Sequence, residues 1–338
     1  MLYNVTLVQS KATRGKIMYS IAYTIAYFLD GKGHWPSYID WFMASCKANK
    51  TIDFYIFTDD HSLEKWEKTP NINIIYMTFE ECVDRIHERL GADIKIGKPY
   101  KLCDMKTVYR KIFSEWLKDY DFWAYGDCDQ IFGNIRHTFT DEFLDQYDWF
   151  QILGNLEIIR NTDEVNDYHL LERPAWSKHR DHVWRNVIQN ENNTSFCEQS
   201  GLPLILKENG KKIYWNRENF VNIYQEDKGY KKMIDNTVQH NTLFQYWKWE
   251  NGCIYHVDKL TGKKTEYIYI HFSNRKLDAI PYRGQKSAFI TANAKITDTM
   301  YWWDTFTGRD FFVAYAKKAK EYIRWHLAHP HGKDRSEL

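Results

Sequence analysis

The chain has 338 residues and a formal charge of +1, with 46 basic and 45 acidic residues. This length allows one large domain or two smaller ones with an ample core, and the balanced charge argues against a nucleic-acid partner held by bulk electrostatics. Aromatic residues are abundant, at 14 Trp, 24 Tyr and 19 Phe, so rings must fill much of the core, while others are available to stack on the C–H faces of sugars.

Neither the cysteines nor the amino-terminal region indicates export. The six cysteines form no C-x-x-C pair, which favours reduced thiols in a cytosolic protein. The apolar run 17–29 follows basic residues, as in a signal peptide, but it contains Ser20, Thr24 and three tyrosines, and no small-x-small cleavage site follows. It is also too short to span a bilayer. We therefore expect a cytoplasmic protein without a targeting or transmembrane segment.

After a polar lead-in over residues 1–15, the first half of the chain alternates strand and helix patterns. Ser37, with Asp40 three residues on, predicts one helix start, and Thr78 with Glu81 predicts a capping box. Strands are predicted at Lys16–Tyr23, Ile52–Phe57, Ile72–Met77 and Asp121–Tyr125, and a long helix at Lys101–Lys118. This alternation predicts a mostly parallel sheet covered by helices, in which ligands bind beyond the carboxyl ends of the strands.

The second half of the chain is less regular and contains no repeat or low-complexity tract. Strand patterns occur at Asp148–Leu153 and at Tyr267–His271, and the second of these ends in a histidine. The pattern over Asp310–His326 predicts a basic helix with an apolar face, followed by a polar tail over 329–338.

Two carboxylates follow the predicted strand Asp121–Tyr125, in the segment DFWAYGDCDQIFGNI. Gly126 breaks the strand, and Asp127 and Asp129 come next with one residue between them. Carboxylates at positions i and i+2 beside a glycine can converge on one divalent cation, and hard oxygen ligands suit Mg²⁺ or Mn²⁺. The alternative is a solvated acidic turn, which the pair alone does not exclude.

Two further groups could serve the same site. His271 ends a predicted strand, and a neutral imidazole is a good third ligand for Mn²⁺, although a lone histidine is often structural. Arg275 follows closely and could bind phosphate oxygens. On the predicted helix, Lys101 and Lys106 offer cations for phosphate or carboxylate and Asp104 offers an acceptor for hydroxyls. The alternative for this helix is ordinary solvated surface charge.

Five segments resemble a bacterial family of glycosyltransferase-like proteins encoded in surface-polysaccharide gene clusters. They are TIDFYIFTDD, PYKLCDMK, YDFWAYGDCDQIFGNI, GNLEIIRNTDEVN and YIYIHFSNRK, and they span most of the chain. More distantly, the sequence resembles the retaining galactosyl- and glucosyltransferases of lipopolysaccharide core synthesis. The resemblance implies an α/β fold of the GT-A glycosyltransferase type, with a Rossmann-like mixed sheet flanked by helices.

The resemblance also implies a division of the chain. We expect a GT-A catalytic domain over residues 16–290, with a nucleotide-sugar half at 16–135 and an acceptor half at 136–290. A C-terminal amphipathic helical extension and tail occupy 291–338.

A UDP-sugar donor and a bound Mn²⁺ or Mg²⁺ follow from the same resemblance. Asp127 and Asp129 match the family's metal motif, and Asp129 thereby counts among the catalytic residues. His271 matches a late strand-end histidine that is a further metal ligand, but the usual glycine after it is not matched cleanly. The distant relatives also carry an Asp-Gln-Asp segment near the reaction centre. Gln239 loosely resembles the glutamine of that segment, but both flanking aspartates are absent here.

The fold places the nucleoside at the amino-terminal strands. Ala22 and Tyr23 finish the first predicted strand, and Tyr23 could stack on the base. Asp59 or Asp60, at the end of the second strand, could contact uracil or ribose, and the alternative for each is a turn residue. The family usually has a short turn after the first strand, whereas Thr24–His34 forms a longer one here.

The acceptor half supplies further candidates. Gly154 lies where the architecture places the transferred sugar and permits close approach of a ligand. Asn155 or Glu157 could hydrogen-bond sugar hydroxyls, and Glu198 is the candidate acidic group near the acceptor.

We expect transfer of a hexose from a UDP-sugar, with UDP-galactose favoured, to a glycan in bacterial O-antigen or capsule synthesis. Retention is favoured, with the leaving phosphate accepting the acceptor's proton, while inversion would need Glu198 as base. One alternative is an aspartate-based phosphohydrolase, although those enzymes place Asp-x-Asp on the first strand. Another is a non-catalytic glycan-binding protein of the same fold.

The expected partners are the nucleotide-sugar donor and a glycan acceptor, which is often lipid-linked, and no nucleic acid. A basic amphipathic helix can lie on an anionic membrane, which would place the protein at the inner face of the cytoplasmic membrane. The alternatives for the predicted helix Asp310–His326 are packing on the catalytic domain or in a homodimer interface.

Overall fold

The computed structural model describes residues 18–31, 34–152, 155–215, 220–224, 229–232, 238–239, 245–258, 260–272, 277–291, 295–299, 320 and 323–324. The lead-in over 1–15 lies outside these ranges, as does nearly all of the predicted helix Asp310–His326. Every helix in the described part of the chain is too short or too polar to cross a membrane.

Strands outnumber helices among the described residues. The strands are β1 (Ile21–Ala26), β2 (Asp53–Thr58), β3 (Ile72–Tyr76), β4 (Phe122–Gly126), β5 (Gln130–Phe132), β6 (Trp149–Ile152), β7 (Leu156–Arg160), β8 (Ile213–Trp215), β9 (Phe220–Tyr224), β10 (Gly229–Lys232), β11 (Val238–Gln239), β12 (Gln245–Glu250), β13 (Cys253–Asp258), β14 (Lys264–Tyr267), β15 (Tyr269–His271), β16 (Asp278–Ala279), β17 (Ser287–Ile290) and β18 (Lys295–Thr297). The α-helices are α1 (Ile39–Ala48), α2 (Phe79–Leu90), α3 (Leu102–Met105), α4 (Tyr109–Ile112), α5 (Ser114–Leu117), α6 (Ile135–Thr138), α7 (Asp141–Leu144), α8 (Asp163–Asn166), α9 (Trp184–Val187) and α10 (Leu202–Glu208). Shorter 3₁₀-helices lie at His61–Trp66, Pro99–Lys101, Lys106–Val108 and Tyr168–Leu170.

The largest sheet has the strand order β3-β2-β1-β4-β7-β6-β8. Strands β3, β2, β1 and β4 are parallel, whereas β7 is antiparallel to both of its neighbours. Side chains alternate across this sheet, so that Phe122 and Ala124 enter one hydrophobic core while Trp123 and Tyr125 enter another. Helix α1 packs into the first core, and α2 and α3 pack into the second. The predicted fold class, an α/β fold with a mixed sheet flanked by helices, is confirmed.

Two smaller sheets complete the described fold, with the strand orders β11-β10-β9-β15-β5 and β14-β13-β12-β17-β18-β16. Strand β5 follows β4 directly in the chain, so the short segment between them links the largest sheet to the five-stranded one. Strands β12 and β13 form a hairpin whose two turn residues, Asn251 and Gly252, both have positive φ, at 51° and 84°. Such two-residue turns match the twist of the flanking strands and fix their register.

The first strand lies further along the chain than its pattern predicts. It begins at Ile21 and continues to Ala26, because parallel pairing with β2 extends to Ala26 opposite Phe57. Ala22 and Tyr23 are therefore inside the strand and do not end it, and Thr24 belongs to the strand and not to the following turn.

The helix predicted over Lys101–Lys118 is interrupted, which corrects that prediction. Helices α3, α4 and α5 each span four residues, and the dihedral angles leave the helical range at Val108 (φ −126°, ψ 13°) and Phe113 (φ −109°, ψ 38°). Both side chains are fully buried. Packing of these two residues therefore decides the backbone here against the local helix propensity.

One of the two predicted helix starts is confirmed and the other is wrong. At α2 the Glu81 amide donates to Thr78 Oγ1 at 3.1 Å and the Thr78 amide donates to Glu81 Oε2 at 2.7 Å, which is a complete capping box. Helix α1 is preceded by Tyr38 without a side-chain cap. The Ser37 hydroxyl instead donates to the Leu277 carbonyl at 2.6 Å, because this tertiary partner competes with the helix end.

A buried histidine predicts acid sensitivity of the fold. Burial, and secondarily the positive charge of Lys111, lowers the pKa of His169 to about 4. The unfolded chain binds this proton near pH 6.5, so His169 leaves stability intact above that pH and destabilises the fold as the pH falls toward 4. The expected loss is up to about 3 kcal/mol. Urea unfolding at several pH values measures it.

The matched variant is His169→Asn, whose side-chain amide can still donate to the Asn166 carbonyl, 3.0 Å from His169 Nδ1. Wild type and variant share all other titrating groups, so the difference between their stability curves reports this residue. Parallel curves between pH 7 and pH 4.5 would contradict the prediction.

Candidate functional site

The centre of the candidate site is the turn after β4. Gly126 is the last residue of that strand, and a Cβ atom there would lie 2.0 Å from the Asn155 carbonyl oxygen and 2.1 Å from the Tyr23 hydroxyl. Gly126 is therefore required because the Tyr23 side chain and the Asn155 backbone lie against it, not because it breaks the strand. Asp127 and Asp129 follow directly and so lie at the carboxyl end of β4, where open α/β sheets bind ligands.

A single methyl group at this position tests the close approach. Gly126→Ala is expected to destabilise the fold by about 3 kcal/mol, because one of its contacts is a backbone oxygen that cannot move aside cheaply. Gly97→Ala is the matched control, since its Cβ would meet its nearest neighbour at an ordinary 3.7 Å. Denaturant unfolding of the two variants measures the difference. Equal stabilities would show that the turn after β4 adapts freely.

Gln130, which the sequence did not single out, fixes the backbone between the two aspartates. Its side-chain amide is fully buried and donates to the carbonyls of Asp127 at 2.8 Å and Asn155 at 2.7 Å, and its nitrogen also lies 3.0 Å from the Tyr23 hydroxyl. One side chain thus ties β1, the Asp127–Asp129 turn and β7 together. The sequence shows a glutamine directly after Asp-x-Asp but reveals neither its burial nor its partners.

Strand pairing brings His271 to the aspartates. Strand β15 runs antiparallel to β5 with His271 opposite Gln130, and the Phe272 amide donates to the Asp129 carbonyl at 2.8 Å. The imidazole Nε2 consequently lies 3.1 Å from Asp129 Oδ1. Burial alone would lower the pKa of His271, but the charge of Asp129 and its hydrogen bond outweigh burial and raise it.

The three predicted ligands converge. Asp127, Asp129 and His271 each offer one ligand atom, and these atoms all lie within 4.8 Å of one another. Two carboxylate oxygens and one imidazole nitrogen form a donor set that suits Mn²⁺ and accepts Mg²⁺. The residues therefore fit a divalent cation.

Lys106 is the counter-ion of the site. It is nearly buried, and its ammonium forms a short ion pair with Asp127 Oδ1. Burial alone would lower the pKa of Lys106, but the Asp127 charge outweighs burial and the pKa is raised, so the lysine stays charged. This contact holds one oxygen of Asp127, and among the hydrogen bonds of the described residues Oδ2 is left available.

Glu198 lies in reach of the same charges. The residue as a whole is exposed, but the surrounding protein and then the charge of Asp127 raise the pKa of its carboxyl, while Lys106 and His271 act in the opposite direction. The charge of Asp127, in the candidate metal site, therefore acts on the carboxyl predicted for the acceptor half. Its pKa shift is in the direction expected of a general acid or base.

Two residues predicted to contact the nucleoside, Ala22 and Tyr23, lie in the protein interior. Ala22 and Tyr23 are fully buried, and the Tyr23 ring packs between Phe54 and Phe132 at centroid distances of 5.4 and 5.3 Å. The prediction that Tyr23 stacks on a base is wrong, because the strand continues past it and its ring fills the core.

A different aromatic residue lies at the end of this strand. Tyr27 follows β1 directly, is only partly buried, and stacks on Trp35 with centroids 4.6 Å apart. Burial first, and then the Cys128 and Asp129 groups, raises the pKa of Tyr27. Tyr27 was not a sequence candidate because the predicted strand ends at Tyr23, three residues before the observed end of β1 at Ala26.

Asp59 and Asp60 both hold loops. Asp59 accepts from the Leu29 and Asp30 amides at 2.8 Å each, and so fixes the segment after β1. Asp60 caps the following 3₁₀-helix and accepts from the Trp35 indole at 3.1 Å. The turn-residue alternative describes these contacts, and the predicted contact with uracil or ribose stays a prediction.

Lys101 and Asp104 form a buried ion pair at 2.8 Å, with both side chains at 0% exposure. Lys101 also donates to the carbonyls of Val187 at 2.8 Å and Asn192 at 3.1 Å, which uses all three ammonium protons. Their predicted contact with a ligand is therefore wrong, because the pair is inside the protein and holds the segment around Val187–Thr194 to α3.

Of the remaining candidates, the structure describes the side chains of Asn155 and Glu157. Asn155, immediately before β7, is nearly buried, and Glu157 is fully buried and accepts from the Trp149 indole, so Glu157 supports the sheet from within. Gly154 and Arg275 lie outside the described residues, as does the side chain of Gln239, whose backbone pairs with Tyr230 in β11 and β10. Roles predicted for these three stay predictions.

Comparison with solved structures finds glycosyltransferases. The chain is similar to mouse xyloside xylosyltransferase 1 in its apo form, with 10% identity over 61% of this chain and 87% of that one, at a TM-score of 0.38. It is similar to the galactosyltransferase LgtC in complex with donor and acceptor sugar analogues, with 10% identity over 75% and 87% of the two chains, at a TM-score of 0.38. The apo glycosyltransferase GlyE of Streptococcus pneumoniae TIGR4 matches at 12% identity over 60% and 46%, at a TM-score of 0.31.

Sequence comparison gives the family. No curated protein sequence matches the chain. The profile of a family described as being of unknown function matches residues 24–300, which is more than half of the chain and includes all three predicted metal ligands. The chain therefore belongs to the DUF6625 family.

Proposed function

We propose that this protein is a metal-dependent hexosyltransferase of the GT-A type. It transfers a hexose from a UDP-sugar, with UDP-galactose as the favoured donor, to a hydroxyl of a glycan acceptor. The sequence resemblance supports a place in the synthesis of a bacterial surface polysaccharide such as O-antigen or capsule. It also supports a cytoplasmic enzyme that meets a lipid-linked acceptor at the membrane.

The observation that carries this proposal is the convergence of Asp127, Asp129 and His271 at the carboxyl end of β4. These residues come from two distant parts of the chain, and the pairing of β5 with β15 brings them together. An acidic turn without a ligand would not need a histidine aimed at it from another strand. The geometry therefore favours a metal site over the solvated turn.

A divalent cation bound there would neutralise charge on the diphosphate of the donor and on the departing UDP. Asp127 and Asp129 would each supply a carboxylate oxygen to it, and His271 would supply Nε2. Lys106 holds Asp127 in place through Oδ1. Its charge also lowers the net negative charge of the turn, which makes the approach of a diphosphate less unfavourable.

The stereochemical course depends on what accepts the proton of the attacking hydroxyl. With retention, a phosphate oxygen of the leaving group takes it on the same face of the sugar, and no protein base is needed. With inversion a carboxylate must take it, and Glu198 is the candidate, since its raised pKa brings it nearer to neutrality. The resemblance to retaining enzymes favours the first course.

Glu198→Gln separates the two courses, because the amide keeps the size of the side chain and removes the base. Under retention we expect the rate of transfer to stay within about tenfold of wild type, whereas loss of a general base costs roughly 100-fold to 10,000-fold. The anomeric configuration of the product, measured by proton NMR, gives the same answer independently. A large loss of rate combined with an inverted product would overturn the retaining assignment.

Two other functions use similar residues. An aspartate-based phosphohydrolase would also need Asp-x-Asp after a strand, but here β4 is preceded by three strands of the same sheet. A glycan-binding protein of this fold would not need the metal ligands. Both alternatives therefore explain fewer of the observed contacts.

Release of UDP from a panel of UDP-sugars, with Mn²⁺ and with a chelator, tests the proposal. Glycosyltransferases hydrolyse their donor slowly when water replaces the acceptor, so the acceptor need not be known. We expect metal-dependent UDP release from one sugar nucleotide above all others. Phosphate release from simple phosphate esters in its place would indicate the phosphohydrolase, and glycan binding without any turnover would indicate the binding protein.

A further inference from the structure

A second group of metal-ligand side chains lies outside the site described above. It consists of His137 on α6, Cys253 at the start of β13 and Glu266 on β14. One ligand atom of each residue lies within 4.8 Å of the other two, and His137 Nδ1 is 2.8 Å from Glu266 Oε1. We propose that these three residues form a binding site for a zinc-class transition-metal ion.

The chemistry of the three donors supports zinc over magnesium or calcium. A thiolate, an imidazole and a carboxylate are the three ligand types that Zn²⁺ accepts, whereas hard cations avoid sulfur. Ligand atoms around a tetrahedral zinc stand about 3.3 Å apart for nitrogen and oxygen. The distance of 2.8 Å between His137 Nδ1 and Glu266 Oε1 would therefore have to lengthen by well under 1 Å. Three protein ligands leave the fourth position to water.

The backbone around Cys253 and Glu266 is fixed in register. The two-residue turn Asn251-Gly252 sets the start of β13, and Tyr255 pairs with Glu266 across the next strand. Cys253 and Tyr255 therefore share the face of the sheet from which Glu266 projects. The opposite face, with Trp247 and Ile254, packs into the core.

His137 is held against this face by a glycine. The Gly133 amide donates to the Ile268 carbonyl at 2.6 Å, and a Cβ on Gly133 would lie only 2.4 Å from the Tyr267 carbonyl oxygen. Residues 133–138 can approach the β13–β14 pair this closely only because position 133 has no side chain. The buried Asn49 side chain clamps the same segment, since it donates to the Gly133 carbonyl at 2.8 Å and accepts from the Ile135 amide at 2.9 Å.

The neighbouring lysines pair with Glu250, whereas the carboxylate of Glu266 contacts His137. Lys248 and Lys264 also project from this face, but both ammonium groups pair with Glu250, and Lys264 additionally lies 3.6 Å from the centre of the Tyr255 ring. Glu250 thus takes up the two nearby cations. A bound ion would link helix α6, which follows β5 in the chain, to the six-stranded sheet that contains β13 and β14.

Cobalt tests the site, because thiolate coordination to Co²⁺ gives a charge-transfer absorption band that oxygen and nitrogen ligands do not give. The full-length chain carrying Asp127→Asn and Asp129→Asn is titrated with Co²⁺, so that the first site does not compete. We expect a thiolate band that saturates at one ion per chain and that disappears when Zn²⁺ is added. Cys253→Ser is expected to abolish the band.

His137→Ala supplies a second variant that should fold normally, since this side chain is 56% exposed. We expect it to weaken Co²⁺ binding by roughly tenfold or more, because even partners outside the ligand shell change affinity by that much. His61→Ala is the matched control, as His61 is also exposed and paired with a carboxylate, that of Glu64 at 3.2 Å. An absent band at millimolar Co²⁺, or a band that survives Cys253→Ser, would overturn the proposal and leave a hydrogen-bonded polar cluster.

Discussion

Asp129→Asn is expected to reduce metal-dependent UDP release by about 100-fold or more while the protein stays folded. The substitution keeps the shape of the side chain and removes the charge that faces His271 at 3.1 Å. Loss of a residue that only orients a metal ligand costs roughly 10-fold to 100-fold, and loss of a ligand itself should cost at least as much. Initial rates at saturating donor, over a range of Mn²⁺ concentrations, measure the effect.

Asp119→Asn is the matched control for this substitution, because Asp119 is an exposed aspartate just before β4 and lies outside the Asp127–Asp129 turn. It should leave both the rate and the dependence on Mn²⁺ unchanged. A rate within tenfold of wild type for Asp129→Asn would remove Asp129 from the catalytic site.

Lys101→Met is expected to destabilise the fold by about 3–5 kcal/mol, because it leaves the carboxylate of Asp104 buried without its counter-ion. Asp104 also accepts from the amides of Thr194 and Phe196 at 2.8 Å each. Loss of its counter-ion should therefore also weaken the attachment of that segment. Urea unfolding measures the change in stability.

From the sequence, Lys101 is a candidate cation for a phosphate or carboxylate of a ligand, and the same variant distinguishes that role from the structural one. A ligand-binding lysine would raise KM for the donor with little change in stability. Lys98→Met, which removes an exposed lysine three residues earlier, should change neither property. A stable Lys101→Met protein with a raised KM would restore the original prediction.

The features that could be predicted from the sequence are those set by local pattern. The strands around Phe54, Ile74 and Trp123 have continuous apolar runs, and the capping box at Thr78 needs only residues three apart. The two aspartates after β4 are adjacent to a strong strand, which is why the turn could be placed correctly.

Features that depend on distant partners could not be predicted. Nothing near Gln130 in sequence indicates that it holds the turn to β1 and β7, and nothing near Gly126 indicates that two other strands approach it. The interruptions at Val108 and Phe113 follow from burial, which helical periodicity does not reveal. His271 could be proposed as a ligand from its place at a strand end and from a resemblance, but its position beside Asp129 results from the register of β15, which the sequence does not reveal.

The central claim is that Asp127, Asp129 and His271 hold a divalent cation on which binding of the nucleotide sugar depends. Calorimetric titration with UDP, the part shared by every proposed donor, tests it most directly when it is performed with Mn²⁺ and again with a chelator. The account predicts that UDP affinity falls by about 100-fold or more without the metal and falls similarly in Asp129→Asn with the metal present. Equal UDP affinity under all three conditions would contradict it.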